Sequence, residues 1–221
     1  MAALTVITGA NRGIGLELAR QSVERGEVVL AAVRSTGAAL GELDLEVVEG
    51  VDVSSDQGIQ DLKSAVGSRR VARLICNAGV LTRETLSDLD LDRIRRQFEV
   101  NTLGPLRTVA AVQDSLAAGS KVGIVTSRMG SIADNTSGSM YGYRISKAAV
   151  NAAGVSLARD LAPRGIAVAL LHPGYVRTDM TGGNGYVEAD HSARGLLARL
   201  DELTVENTGS FWHADGQILP W

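Results

Sequence analysis

The sequence predicts an α/β chain: a parallel sheet, doubly wound, with helices on both faces and no division into domains. Three observations carry this. Apolar runs of strand length alternate with segments of helical period along the whole chain. The strand-length runs are apolar at nearly every position, the pattern of strands covered on both faces. The 221 residues contain no linker, internal repeat or low-complexity stretch, so 1–221 reads as one domain.

In chain order, Leu4–Thr8 reads as the first strand and Gly13–Arg25 as the first helix. Val28–Val33 is the second strand, followed by a Gly-rich turn. Leu45–Val48 is a short third strand ending near Asp52, Gln57–Val66 a helix, and Val71–Cys76 the fourth strand. Leu89–Leu116 keeps an amphipathic period and predicts one long helix, bent where Gly104-Pro105 interrupts it. Lys121–Thr126 is the fifth strand. Tyr143–Leu161 is a helix stopped by Pro163 and Gly165. Ile166–Leu171 is the sixth strand, Ala189–Leu203 a helix and Gly209–His213 the seventh strand. In such sheets ligands sit outside the carboxyl ends of the strands, at the switch point. One loop stands out: Thr181-Gly182-Gly183-Asn184-Gly185 fits a mobile lid and a plain surface turn equally well.

Composition narrows the function. Apolar residues make up 45% and aromatics 4%, so the core is mostly Ala, Val, Leu and Ile. The net charge of -3 and a pI near 5.7 leave no basic face, which argues against nucleic acid as partner. Cys76 is the single cysteine; it lies in an apolar run and reads as a buried strand residue. Three histidines without partner cysteines predict no metal site. Met1-Ala2-Ala3 lacks the basic start and cleavage site of a secretory signal, and no apolar run reaches ~18 residues. A cytoplasmic protein without a membrane span is the expectation.

Thr8-Gly9-Ala10-Asn11-Arg12-Gly13-Ile14-Gly15 lies between the first strand and the first helix. Gly9 allows a tight turn, while Gly13 and Gly15 let a pyrophosphate and the sheet approach the backbone. The helix start then presents free N–H groups and a positive dipole end to phosphate. A glycine motif alone is weak; its place directly after the first strand of an alternating chain strengthens it. The lysine of a nucleoside-triphosphate loop is absent. The second strand ends Ala31-Ala32-Val33-Arg34-Ser35, without the acid that would bind a ribose hydroxyl of NAD. Arg34 and Arg12 suit a 2′-phosphate instead, so NADP(H) is favoured over NAD(H); as plain surface arginines they would have no such role.

Tyr143-Arg144-Ile145-Ser146-Lys147 puts a phenol and an ammonium on one face of a helix. A free tyrosine ionises near pH ~10, and a nearby ammonium is expected to lower that value. The pair alone is unspecific. Tyr141 is a decoy, because Ile145 stands four residues later. Ser127 follows the apolar run Val122–Val125 and reads as a site residue or a simple turn cap. Asn101 lies mid-helix beside the Gly-Pro interruption and reads as a site residue or a satisfied buried amide.

Together these motifs resemble the short-chain dehydrogenase/reductase family over nearly the whole chain. The resemblance implies a Rossmann fold with a seven-stranded parallel sheet. It implies cofactor contacts at Gly9, Asn11, Arg12, Gly13, Ile14, Gly15 and Arg34, at Asp52-Val53 beside the adenine, and at Asn77-Ala78-Gly79. Pro173-Gly174, Val176 and Thr178 would face the nicotinamide. The catalytic tetrad would be Asn101, Ser127, Tyr143 and Lys147, with Tyr143 and Lys147 also touching the cofactor. Ser127-Arg128-Met129-Gly130-Ser131-Ile132-Ala133-Asp134-Asn135, and the ending Gly216-Gln217-Ile218-Leu219-Pro220-Trp221, are similar to the C-factor and sniffer-type carbonyl reductase branch. The link from Ser127 to Tyr143 is longer than the family's common spacing, and that branch shares the longer link. The segment after Thr178 is shorter than in many relatives, which implies an open, permissive pocket with 178–190 as a short substrate-side loop.

By this resemblance the chain is an NADP-dependent oxidoreductase that interconverts a ketone or aldehyde and an alcohol. Tyr143 donates the proton, Ser127 steadies the carbonyl oxygen, and Lys147 binds the nicotinamide ribose and lowers the phenol pKa. Asn101 holds a water that passes protons between Lys147 and solvent, and Thr178 fixes the carboxamide. Leu81, Met129, Ile132, Asn135, Tyr175, Met180 and Tyr186 neighbour site residues; an apolar lining would suit a hydrophobic carbonyl or alcohol, and core packing is the equal alternative. A nucleotide-binding signalling or sensor protein of the same fold is the competing function. A sugar-nucleotide epimerase shares the tyrosine-lysine pair but needs more chain than 148–221. Relatives pair through the long helices, which implies a homodimer or homotetramer; Ala148, Ala149, Ala152, Ala153 and Gly154 would either serve that contact or pack on the chain's own sheet.

Overall fold

Seven strands build one sheet in the computed structural model, which describes residues 4–221. They are β1 (Leu4–Thr8), β2 (Val28–Ala32), β3 (Glu46–Val48), β4 (Val71–Cys76), β5 (Leu116–Val125), β6 (Ala167–His172) and β7 (Phe211–His213). Their order across the sheet is β3-β2-β1-β4-β5-β6-β7 and every pairing is parallel. The chain winds outward from β1 to β3, then returns to lay β4 against the other side of β1. The switch point therefore lies between β1 and β4, beyond Thr8 and Cys76.

Helices α1 (Gly13–Glu24), α2 (Ala38–Gly41), α3 (Asp56–Val66), α4 (Leu91–Phe98), α5 (Gly104–Val112), α6 (Tyr141–Leu161) and α7 (Ala189–Glu202) complete the chain. Two apolar layers explain why the strands are apolar throughout. Val6, Leu30, Leu74, Ile124 and Leu170 point to one face, where Leu62, Val109 and Val150 of α3, α5 and α6 cover them. Ile7, Val29, Ile75 and Leu171 point to the other, under Leu18, Leu196 and Leu200 of α1 and α7. Alternate residues feed opposite layers, as the strand period requires. Cys76 is buried in the first layer, and burial pushes its thiol up to about 12.

The single long helix expected over Leu89–Leu116 is not one element. It consists of α4, a π turn over Glu99–Leu103, α5, and a 3-10 turn over Gln113–Ser115; Leu116 already begins β5. Pro105 has no N–H for the carbonyl of residue 101, and the Gly104 N–H reaches back five residues to Glu99. The helix widens into a π turn just before Gly104-Pro105. Leu116 is buried, which suits a helix face and a sheet equally, so hydrophobic period could not place it. Two smaller differences are the one-turn helix α2, where a plain Gly-rich turn was expected, and the start of α6 at Tyr141 rather than Tyr143. Gly154 of α6 packs on its own sheet: a Cβ there would lie 2.5 Å from Leu170. Ala152 faces outward.

Candidate active site

The turn after β1 is tied to the turn after β4. Thr8 Oγ1 accepts from the Asn77 and Ala78 N–H groups at 3.1 and 3.2 Å, and Asn77 Nδ2 donates to the Gly9 carbonyl at 3.0 Å. Gly9 has φ +69°, and a Cβ there would sit 2.9 Å from Ala78 Cα. At Gly15 a Cβ would lie 2.2 Å from the Gly9 carbonyl oxygen. The two glycines thus let the turn and α1 close against the strand ends. No side chain caps the start of α1, where Arg12 is the N-cap.

A cavity of about 350 Å³ opens here. It is lined by Gly9, Asn11, Arg12, Gly13, Ile14, Gly15, Arg34, Asp52, Val53, Asn77, Ala78, Gly79 and Thr178, all expected from sequence as cofactor contacts. Met180, expected on the substrate side, lines it too. Val51, Val80, Val100, Arg177 and Asp179 also line it and were not singled out. All five flank an expected site residue in sequence, which was the available signal. Tyr143, Lys147, Pro173, Gly174 and Val176 are not among its walls.

The charges around the cavity are not equivalent. Burial works to raise the Asp52 carboxyl, but hydrogen bonds from the Ser54 hydroxyl and N–H, with the Arg34 and Arg96 charges, hold it below the usual carboxylate range. Arg34 is exposed at the rim. Arg12 turns across the cleft instead, pairing with Asp179 at 3.2 Å, with 64% and 79% of the two side chains exposed. An ion pair so open contributes little stability.

At the next strand end, Ser127 caps a 3-10 turn over Arg128–Gly130, and its Oγ accepts from the Met129 N–H at 3.1 Å. The same hydroxyl stands within hydrogen-bonding reach of the Tyr143 phenol. The cap reading of Ser127 is therefore realised, and its hydroxyl also faces the Tyr143 phenol. Lys147 stands one turn along α6 with Nζ 5.7 Å from the Tyr143 ring centroid, and Nζ donates to the Val125 carbonyl at 2.9 Å. Burial pushes the Tyr143 phenol up to about 12, opposed by the Ser127 hydrogen bond. Burial pushes the Lys147 ammonium down to about 8. The expected lowering of the phenol by Lys147 is absent in this geometry, because desolvation outweighs a cation that lies over the ring and is bound to a carbonyl.

Asn101 lies in the π turn and is 1% exposed. Its Oδ1 accepts from the Val80 N–H at 2.8 Å, and its Nδ2 donates to the Val80 carbonyl at 2.8 Å and to Ser146 Oγ at 3.0 Å. Its amide is satisfied by protein atoms, so it links the cavity wall at Val80 to the helix carrying Tyr143. A Cβ on Gly79 would meet Asn101 Oδ1 at 3.3 Å and Lys147 Nζ at 3.9 Å, so the cavity wall at Gly79 abuts the buried ammonium. Pro173 accepts from Ser192 Oγ at 2.7 Å, and Gly174 has φ +90°.

The segment expected as a substrate-side loop is internally bonded. Val176 bridges to Val187, the Arg177 N–H donates to the Val187 carbonyl at 3.0 Å, and Arg177 pairs with Glu188. Thr178 and Thr181 cap the intervening 3-10 turn reciprocally. Tyr175 and Tyr186 meet edge to face with centroids 5.5 Å apart. Among the residues expected to line a substrate pocket or pack in the core, Ile132, Asn135, Tyr175, Met180 and Tyr186 are exposed, and Leu81 and Met129 are half-buried. Core packing is thereby excluded for the exposed five. No helix of the described residues is long and apolar enough to cross a membrane.

A family model described as short chain dehydrogenase matches residues 3–186. The chain is 46% identical to a 1-hydroxy-2-glutathionyl-2-methyl-3-butene dehydrogenase of Rhodococcus sp. (strain AD45), covering 98% of each chain. It is also 46% identical to the C-signal of Myxococcus xanthus, over 67% of this chain and 91% of that one. Among solved structures, it is similar to the NADPH-bound carbonyl reductase from chicken fatty liver, with a TM-score of 0.89 and 28% identity over the full length of both.

Proposed function

This chain belongs to the short-chain dehydrogenase family of oxidoreductases, and we propose that it uses NADP(H) to interconvert a carbonyl compound and an alcohol, with Tyr143 as acid and base. The observation that carries this reading is the placement of the Tyr143 phenol: on α6 with Lys147 one turn on, and against the Ser127 hydroxyl, which the Met129 N–H orients. The cavity fits a dinucleotide. Its walls are backbone rather than side chain at Gly9, Gly13 and Gly15, and the uncapped first turn of α1 offers N–H groups to a pyrophosphate. Arg34 stands at the rim for a 2′-phosphate, Thr178 for the carboxamide. A bound nicotinamide supplies the hydride on reduction and takes it up on oxidation.

The protein's own residues handle the proton. A phenol held near 12 keeps its proton at neutral pH, so Tyr143 is poised as the donor to a carbonyl oxygen that becomes a hydroxyl. Ser127 donates a second hydrogen bond to that oxygen and stabilises its developing charge. Lys147, still protonated near neutrality at about 8, is held over the phenol ring by the Val125 carbonyl and stands ready for the nicotinamide ribose. Asn101 fixes the helix turn on which both stand.

Two relatives sharpen the alternatives. The Rhodococcus dehydrogenase is named for an alcohol bearing a glutathionyl thioether, so such an alcohol is one substrate class for this open pocket. The likeness to a protein named as a signal is what favours the competing signalling reading. The test is NADPH and NADH oxidation with benzaldehyde, acetophenone and 2,3-butanedione, and NADP⁺ reduction with a glutathione-thioether alcohol. Turnover in any arm, faster with the phosphorylated coenzyme, is expected. Tight NADPH binding with no turnover in all four arms supports the sensor reading instead. A homo-oligomer formed through the outward face of α6 is expected, and light scattering showing only a 23.2 kDa species would contradict it.

A further inference from the structure

Glu84 lies in the loop between β4 and α4, where Thr82-Arg83-Glu84-Thr85 has the composition of solvated chain. It is nevertheless 0% exposed. Its carboxylate receives three neutral donors. Thr82 Oγ1 donates to Oε1, Gln97 Nε2 to both oxygens at 3.2 and 3.3 Å, and the Gly142 N–H to Oε2 at 3.2 Å. Burying a carboxyl group among neutral donors is costly and calls for a specific reason.

The reason lies at the start of α6. Its N-cap is Met140, whose side chain caps nothing, and Ser139 and Met140 have φ of 53° and 54°. Two successive non-glycine residues in the left-handed region are strained and must be held by their surroundings. Glu84 holds them twice. Its backbone carbonyl accepts the Met140 N–H at 2.8 Å, and its carboxylate accepts the Gly142 N–H. A residue distant in sequence thus supplies the negative cap that this helix lacks.

Gly142 directly precedes Tyr143. It has no room for a side chain: a Cβ would lie 2.2 Å from Gln97 Nε2 and 3.1 Å from Ile94 Cα. On its other side, the Tyr143 carbonyl accepts from Ser146 Oγ at 2.8 Å, and Ser146 is joined to Asn101. The first turn of α6 is therefore clamped from both directions by groups that also anchor 80–84. Thr82 N–H donates to Gln97 Oε1 at 3.0 Å, so Gln97 can only offer its amide N–H₂ to Glu84.

We propose that Glu84 is the positioning residue for Tyr143: by capping Gly142 and holding Met140 it sets where the phenol stands relative to Ser127. This rests on Tyr143 being the acid and base. The test compares wild type, Glu84→Ala, Glu84→Gln, the swap Glu84→Gln with Gln97→Glu, and Tyr143→Phe, on whichever of the three carbonyls the wild type reduces fastest. In Glu84→Gln an N–H₂ group replaces one acceptor oxygen and faces Gln97 Nε2; in the swap the carboxylate at 97 accepts from that group and from the Thr82 N–H, and the amide oxygen at 84 stays available to the Gly142 N–H.

Glu84→Ala is expected to lower kcat about 10- to 100-fold, with KM for NADPH and carbonyl changed less than about 3-fold, because displacement affects the reacting geometry more than binding. Glu84→Gln should fall in the same direction, and the swap should recover most of the loss. Should Glu84→Ala not fold, the Glu84→Gln and swap pair decides. The proposal is overturned if folded Glu84→Ala or Glu84→Gln keeps wild-type kcat, or if the folded swap recovers nothing. If Tyr143→Phe matches the wild type, or the wild type turns over neither the carbonyls nor the thioether alcohol, the acid/base reading itself fails and takes this one with it; if only the alcohol is turned over, the same variants are compared on its oxidation.

Discussion

The two ends of the cleft are built on different principles. The nucleotide end, around Gly9–Gly15 and Asn77–Gly79, is shaped by backbone: glycines bring chain segments to contact distance, and the Asp52 carboxyl is turned in on Ser54. The catalytic end, around Ser127, Tyr143 and Lys147, is shaped by burial, which moves a phenol to about 12 and an ammonium to about 8. The first end is specified by where a side chain must be missing, the second by which side chains are desolvated together. Damage to the first should therefore appear as lost affinity and stability, and damage to the second as altered proton transfer.

The largest effect on the nucleotide end is expected from Gly15→Ala. The new methyl would lie 2.2 Å from the Gly9 carbonyl oxygen, so α1 must shift away from the turn. A loss of about 2–4 kcal/mol in urea unfolding, with NADPH affinity falling alongside, is the expected outcome. Unchanged stability and affinity would mean that the turn is not the close contact described.

The catalytic end should show itself in pH. Lys147 falls from its ordinary 10.5 to about 8 on folding, so between these values the unfolded chain binds a proton that the native protein does not. Stability then rises with pH across that window. Relative to Lys147→Met, the wild type should gain about 2–3 kcal/mol between pH 8 and 10. Above pH 10 the sign reverses through Tyr143, whose raised phenol keeps its proton in the native state while the unfolded one loses it. Parallel stability curves for the two proteins would contradict a buried ammonium.

Coenzyme choice separates the two arginines that looked alike in sequence. Arg34→Ala should raise the Kd for NADPH about 10- to 100-fold and leave NADH nearly unchanged, measured by fluorescence titration. The smallest effect is expected from Asp179→Ala, which frees Arg12 from an ion pair open to solvent. A change of less than about 3-fold in NADPH affinity is expected, since such pairs contribute under ~1 kcal/mol.

The contrast between the ends also explains what could be seen in the sequence. Glycine turns and the Tyr143–Lys147 spacing are local, and the alternation of strand and helix runs is visible along the chain, so the parallel sheet and most of the cavity wall were legible. Leu116 was not, because burial alone does not separate a helix end from a strand start. Glu84 was not, because its polar neighbours conceal a buried side chain whose partner Gly142 stands 58 residues away. Arg12, expected at a phosphate, lines the cavity, and its ion pair with Asp179, 167 residues away, was not visible in sequence. The phenol was expected to be lowered by Lys147, yet spacing on a helix says nothing of how deeply both groups are desolvated.

The most direct test of the central claim is the steady-state reduction of a carbonyl by NADPH with wild type and Tyr143→Phe, alongside NADPH binding to both. Loss of the phenolic hydroxyl should lower kcat by about 10³-fold or more while Kd for NADPH changes less than about 3-fold. A Tyr143→Phe protein that turns over like the wild type would show that the proton comes from elsewhere.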